Sequence, residues 1–192
     1  MNNIHRRKGL LAFAMAAIAV ACTEPANEAP SRPEEVSPSA PTLEQVQAIG
    51  VPNTGMPLDD LVTAGQPTQE QLSALVDLGY TNFVSLRPET EEGAGWEEGI
   101  AADEGIHFTR IPVAGAEGLT RENVLELDRV LDEAEEEQTV LYCSSSNRVG
   151  ALLALRAYWL EGADPQAALE LGRRAGLSRL EPQVTELLAA PR

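Results

Sequence analysis

Residues 149–160 are apolar at almost every position apart from Arg156, and a helix of that composition has no face to give to water. It has to be enclosed, so the chain must supply layers on more than one side of it. The material for those layers alternates in type. Short β-rich runs at Leu61–Ala64, 81–86, 106–113 and Thr139–Tyr142 are separated by stretches with helical spacing. Such alternation is the pattern of a parallel sheet covered by helices. The expected fold class is therefore α/β, a single domain with a central, mostly parallel sheet of four to five strands flanked by helices.

Helix signals refine that outline. Thr68 with Gln71 three residues on is a capping box, Leu72, Leu75 and Val76 share the face that follows, and Gly79 ends the helix. A short helix is expected over 99–104. A longer one begins near Thr120 and carries Val124, Leu127, Leu131 and Ala134 at helical spacing. Two C-terminal helices follow, one opened by Asp164 and Pro165 and one over 180–189.

The amino end is of another kind. Arg6, Arg7 and Lys8 precede an uncharged run over 9–21, the pattern of an export signal, too short for a permanent membrane span. The run closes on Ala19-Val20-Ala21-Cys22, which resembles a bacterial lipobox with Cys22 as the lipidated thiol. Thr23 in place of aspartate implies, by resemblance to other lipoproteins, sorting to the outer membrane. The expected organisation is a signal peptide at 1–21, a lipidated Cys22 with a disordered Pro/Ala/Glu-rich tether at 22–55, and the domain at 56–192. Within 22–55, residues 43–49 offer at most one helical turn. The expected location is the cell envelope, facing the periplasm, with the Cys22 lipid as the sole membrane contact.

Charge narrows the partners. The formal charge is -16, Lys8 is the only lysine, and removing the signal would take away three cations and no acid. Phosphate-backbone binding needs a basic face, so nucleic acid is excluded as a ligand. Acid runs such as Glu135-Glu136-Glu137 are expected to be solvated helix faces. There are two cysteines. If Cys22 carries lipid, Cys143 has no partner within the chain, and an unpaired thiol in an oxidising compartment is either buried and inert or kept for its reactivity.

Cys143 ends the strand Thr139–Tyr142, and the enclosed helix starts about five residues later. Ligands bind at the carboxyl ends of strands in a parallel sheet. Between the two elements lie Ser144, Ser145, Ser146 and Asn147, small or polar residues that let successive amides point inward as a nest for an anion. The helix N-terminus adds partial positive charge there. Together these favour the thiolate of Cys143, and Arg148 offers a planar fork for two oxygens of an oxyanion beside it. No histidine, metal or cofactor is required; His107 reads as an ordinary residue at the start of a strand. The other reading of the same residues is a small buried cysteine ending a core strand, followed by a capping loop.

Four segments in order carry a resemblance: residues 63–68 (Thr-Ala-Gly-Gln-Pro-Thr), 82–89 (Asn-Phe-Val-Ser-Leu-Arg-Pro-Glu), Ile111-Pro112-Val113, and Tyr142-Cys143 through Arg148-Val149-Gly150. Over residues 61–188 the chain resembles the phosphatase-like domain of beta-lactamase-hydrolase-like proteins, within the cysteine-dependent protein tyrosine phosphatase superfamily. The resemblance implies that Cys143 attacks phosphorus to give a phosphocysteine while Arg148 and the loop amides hold the equatorial oxygens. It also implies a general acid on the loop one strand upstream, residues 114–119, where Glu117 is the only carboxylate. Arg87 is a candidate for holding anions, with a surface pairing to Glu89 as its plainer role.

The chain departs from most tyrosine phosphatases in placing four residues, not five, between cysteine and arginine. Tyr142 stands where they have histidine, Ser146 where they have a mid-loop glycine, and Val149 where they have a hydroxyl. Four residues is the spacing of many rhodanese-like sulfurtransferases, whose loops often read tyrosine, cysteine, arginine, serine, glycine, asparagine, arginine. That resemblance implies a persulfide on Cys143, formed from a sulfane sulfur donor. A third possibility is a non-catalytic envelope module that binds a partner or a small anion. The two enzyme readings place a small anionic substrate, a phosphate ester or a sulfane sulfur donor, at Cys143 and Arg148, and all three leave any protein partner unidentified.

Overall fold

The structure, a computed structural model, describes residues 40–134 and 137–190. The export signal, Cys22 and the chain up to residue 39 lie outside the described residues, as do Glu135 and Glu136. Helix α1 (Leu43–Ala48) and strand β1 (Gly55–Leu58) lead into β2 (Leu61–Ala64), α2 (Gln69–Asp77), β3 (Asn82–Ser85), α3 (Glu97–Glu104) and β4 (His107–Arg110). A 3₁₀ turn (Gly115–Gly118) precedes α4 (Arg121–Ala134), and β5 (Thr139–Tyr142), α5 (Asn147–Trp159), α6 (Pro165–Arg174) and α7 (Glu181–Ala189) complete the fold.

The sheet order is β1-β2-β5-β3-β4, with β1 antiparallel and the other four strands parallel. This is the expected α/β architecture, a single sheet of five strands between helices. Strand residues alternate between faces with a period of two, and the two cores follow that alternation. Leu61, Val84 and Leu141 point to α4, α5, α6 and α7, whereas Val62, Phe83, Val140 and Tyr142 point to α1, α2 and α3. Helix α5 is buried along nearly its whole length, as its composition requires, and Arg156 reaches out of it to Asp128 at 2.8 Å.

The folded domain begins earlier than expected. Residues 42–55 are not tether: Thr42 and Gln45 form a capping box on α1, Val46 and Val51 are buried, and β1 completes the sheet edge. Gln71 Nε2 donates to the Gly50 carbonyl at 2.9 Å, tying the exit of α1 to α2. Two valines and one capped turn are enough to seat this segment, although its composition resembles the tether before it. Pro57 within β1 is tolerated because the strand lies at the edge, where one side of its backbone has no ladder partner.

In register, Ala64 and Ser85 flank Tyr142, and Ser85 pairs with Arg110. The carboxyl ends of all four parallel strands therefore lie together, with β5 in the middle. His107 opens β4 at the opposite edge, exposed, with Nδ1 3.3 Å from Glu137 Oε2.

Candidate active site

Strand β5 is fully buried and delivers Cys143 to the centre of that carboxyl edge. The Cys143 amide donates to the Ala64 carbonyl at 3.3 Å, so the ladder with β2 extends to the cysteine itself. Beyond it the Gln66 amide donates to the Ser144 carbonyl at 3.4 Å, and Gly65 bridges Ser145. Ser144 is exposed and Ser145 half-buried, while Ser146, Asn147 and Arg148 are buried. Cys143 is itself fully buried at the end of the core that surrounds α5.

Ser146 turns the loop into the helix. Its φ of 62° lies in the left-handed region, which a side chain enters at a cost of about 1–2 kcal/mol. Its hydroxyl does not cap α5; it donates to the Ala175 carbonyl at 2.7 Å, a bond that helps hold the unusual backbone. Asn147 acts in the same direction. Its Oδ1 accepts from the Ser178 amide at 2.8 Å, the Ser178 hydroxyl at 3.1 Å and the Leu180 amide at 3.3 Å. The loop after Cys143 is thus latched to the loop between α6 and α7.

Arg148 is turned inward, beside the cysteine. Nη1 donates to the Val113 carbonyl at 2.9 Å and to Glu91 Oε1 at 2.5 Å; Nη2 donates to Glu91 Oε2 at 2.9 Å and to Ser144 Oγ at 3.2 Å. None of these contacts uses Nε. Burial alone would draw the guanidinium pKa down, but the Glu91 carboxylate and the neighbouring Cys143 sulfur outweigh it and hold it above its ordinary value. The hydrogen bonds from Arg148 hold Glu91 below the usual carboxylate range; burial opposes this and Arg87 adds to it.

Arg87 is buried and pairs with Glu91 at 2.9 Å, not with Glu89 as its surface reading supposed. It also donates to Gln66 Oε1 at 2.8 Å and to the Glu92 and Gly93 carbonyls. These partners all belong to the loops after β2 and β3, so Arg87 knits those loops together and holds Glu91 from the far side.

A cavity of about 410 Å³ opens over this arrangement, lined by Glu91, Gly115, Ser144, Ser145, Asn147, Arg148, Arg179 and Leu180. The upstream loop thus contributes Gly115 to the lining, whereas Glu117, on the exposed side of the 3₁₀ turn, is not among the lining residues. Two lining side chains escape a reading of the sequence. Glu91 stands among Glu89 and Glu92, where a carboxylate looks solvated, and only tertiary contact carries it to Arg148. Arg179 lies in a short connection between helices and has no local signal that marks it.

Residues 58–182 match the family model described as DSP-PTPase phosphatase fused to NAD+ kinase. No curated protein matches the chain. Among solved structures, a DUF442 protein of Shewanella putrefaciens superposes with a TM-score of 0.61 at 19% identity, covering 77% of this chain and 97% of its own. The core catalytic domain of the PP-IP phosphatase SIW14 of S. cerevisiae, in complex with citrate, superposes with a TM-score of 0.55 at 17% identity, covering 72% and 85%. P. aeruginosa TpbA in complex with pTyr gives a TM-score of 0.51 at 18% identity, covering 66% and 76%. At these identities the likeness concerns the fold.

Proposed function

The chain belongs to the family of DSP-PTPase phosphatases described as fused to NAD+ kinase, and from that premise we propose that it hydrolyses a phosphate monoester through Cys143 and Arg148. The observation that carries this reading is the Arg148 guanidinium, buried beside the Cys143 sulfur at the carboxyl end of β5 and held there by Glu91 and the Val113 carbonyl. Its Nη edge is engaged by Glu91, Val113 and Ser144, and the guanidinium also interacts with the Cys143 sulfur, beside which the oxyanion would be received. The Cys143 thiolate attacks phosphorus, the P–O bond to the leaving group breaks, and the departing oxygen takes a proton from a general acid. Water then attacks the phosphocysteine, the P–S bond breaks, and orthophosphate leaves with the thiolate restored.

Glu117 is our candidate for the acid, on the loop that Val113 ties to Arg148, and it would reach the cavity by movement of the turn it occupies. Among family members we favour kinship with the phosphatase domains of beta-lactamase-hydrolase-like proteins, on the strength of the ordered motifs over 61–188. The pTyr bound to TpbA and the citrate bound to SIW14 are small anions, which supports an anionic substrate here.

Hydrolysis of an aryl phosphate by the full chain tests this. Activity should be present in the wild type and abolished in Cys143→Ser; activity in neither protein, or equal activity in both, overturns the reading. The four-residue spacing between Cys143 and Arg148 favours a second reading, sulfur transfer through a persulfide. It is tested by a +32 Da adduct on Cys143 after incubation with thiosulfate, and an unchanged mass removes it.

We also propose that the protein is anchored in the bacterial envelope by a lipid on Cys22, supported by the charged, apolar and small-residue pattern of residues 6–22. Cys22→Ser should move the protein from the membrane fraction to the soluble fraction. Equal partition of the two forms would refute the anchor.

A further inference from the structure

Most cations of the described chain are neutralised within the protein. Arg87, Arg110, Arg129, Arg148, Arg156 and Arg173 all sit in ion pairs, and Arg121 stacks on Trp159. Arg174 and Arg179 are exposed and form no ion pair with any described residue, and of the two only Arg179 lines the same cavity as Arg148.

Its backbone is fixed to the active loop. Asn147, the residue before Arg148, accepts from the amides of Ser178 and Leu180, which bracket Arg179 on both sides. Ser146 anchors the start of the same connection through the Ala175 carbonyl. The packing at Gly176 fits this latch: its φ is +99°, and a Cβ there would stand 2.5 Å from the Ser146 Cβ. The backbones that carry the two arginines of the cavity are thereby held in register through one asparagine, so that only the Arg179 side chain has to be ordered when an anion spans them.

The cavity already contains a carboxylate, Glu91, engaged with Arg148. A single phosphate received by the loop amides and Arg148 leaves Arg179 without a counterion. At about 410 Å³ the space falls within the range of small-molecule sites and exceeds what one phosphate fills. We infer that Arg179 binds a second phosphate of the substrate, so that the substrate class is a small molecule carrying two phosphate groups rather than an isolated monoester. This inference rests on the phosphatase reading for the identity of the first phosphate.

Binding to the Cys143→Ser protein separates the two ideas, because it reads recognition without turnover. Calorimetry would compare adenosine 3′,5′-bisphosphate with 5′-AMP, with Arg179 intact, as Arg179→Ala and as Arg179→Lys. The bisphosphate should bind about tenfold more tightly than the monophosphate, the size of one added charge-assisted contact. Arg179→Ala should erase that advantage while weakening 5′-AMP binding far less than bisphosphate binding, and Arg179→Lys should restore part of it. A bisphosphate that binds no better than 5′-AMP overturns the inference, as does an advantage that survives in Arg179→Ala or an equal loss for both ligands. If wild-type protein hydrolyses no aryl phosphate while the binding pattern holds, the phosphatase reading fails and the two-anion site stands.

Discussion

Arg148 and Glu91 form the contact on which the site's shape depends. The guanidinium is nearly buried, so removing its carboxylate partner would leave a charge poorly compensated away from water. Glu91→Gln preserves the shape of the side chain and removes the charge. It should lower kcat/KM for an aryl phosphate about tenfold, because Arg148 is no longer pinned beside Cys143. It should also lower stability by about 1.5–3 kcal/mol at neutral pH, the range for hydrogen bonds to charged groups. The pH dependence has a definite sign. Glu91 is held below the usual carboxylate range in the folded protein, so its stabilising effect is complete above that range and lost as pH falls through the depressed folded value. Urea titrations of both proteins should thus differ at pH 7 and converge in strong acid. A gap that stays constant with pH would show that the charge on Glu91 is not what stabilises the fold.

At the level of elements, the critical contact is between α5 and α6. A Cβ on Gly150 would lie 2.3 Å from the Leu177 amide nitrogen and 2.4 Å from the Gly172 carbonyl oxygen, both backbone atoms that cannot swing aside. Gly150→Ala should therefore force the helices apart and cost about 3 kcal/mol, at the upper end for overpacking, seen as a lower urea midpoint. An unchanged midpoint would mean that the helices do not approach so closely. The sequence shows both partners of this contact only as isolated glycines, because nothing local records which helix another will touch. By contrast, the order β2-α2-β3 and the enclosure of α5 were legible: Thr68 and Gln71 cap locally, and the apolar periods need only neighbouring residues. Strand β1 was hidden by Gly55 and Pro57, which are permitted at a sheet edge but depress any strand signal. Of the small polar loop 144–147, Ser144, Ser145 and Asn147 line the candidate cavity. Glu91 and Arg179 were not legible, since one comes from the loop after β3 and the other from the connection before α7, and only the closed fold places them in one cavity.

For the whole molecule, the relevant quantity is the contrast between an acidic chain and an arginine-lined cavity. The formal charge is -16, so an approaching phosphate ester meets net repulsion until it is close to Arg148 and Arg179. The two contributions have different ranges. Repulsion sums over carboxylates spread across the surface, whereas attraction acts over the few ångströms of direct contact. Raising ionic strength from about 0.01 M to 0.1 M shortens the screening length from about 30 Å to about 10 Å, which removes much of the first and little of the second. We expect kcat/KM for a dianionic aryl phosphate to rise severalfold over that interval in sodium chloride, the opposite of the response of a basic enzyme steering in an anion. A fall in kcat/KM with added chloride would show that the local field of the two arginines extends beyond the cavity and dominates the approach.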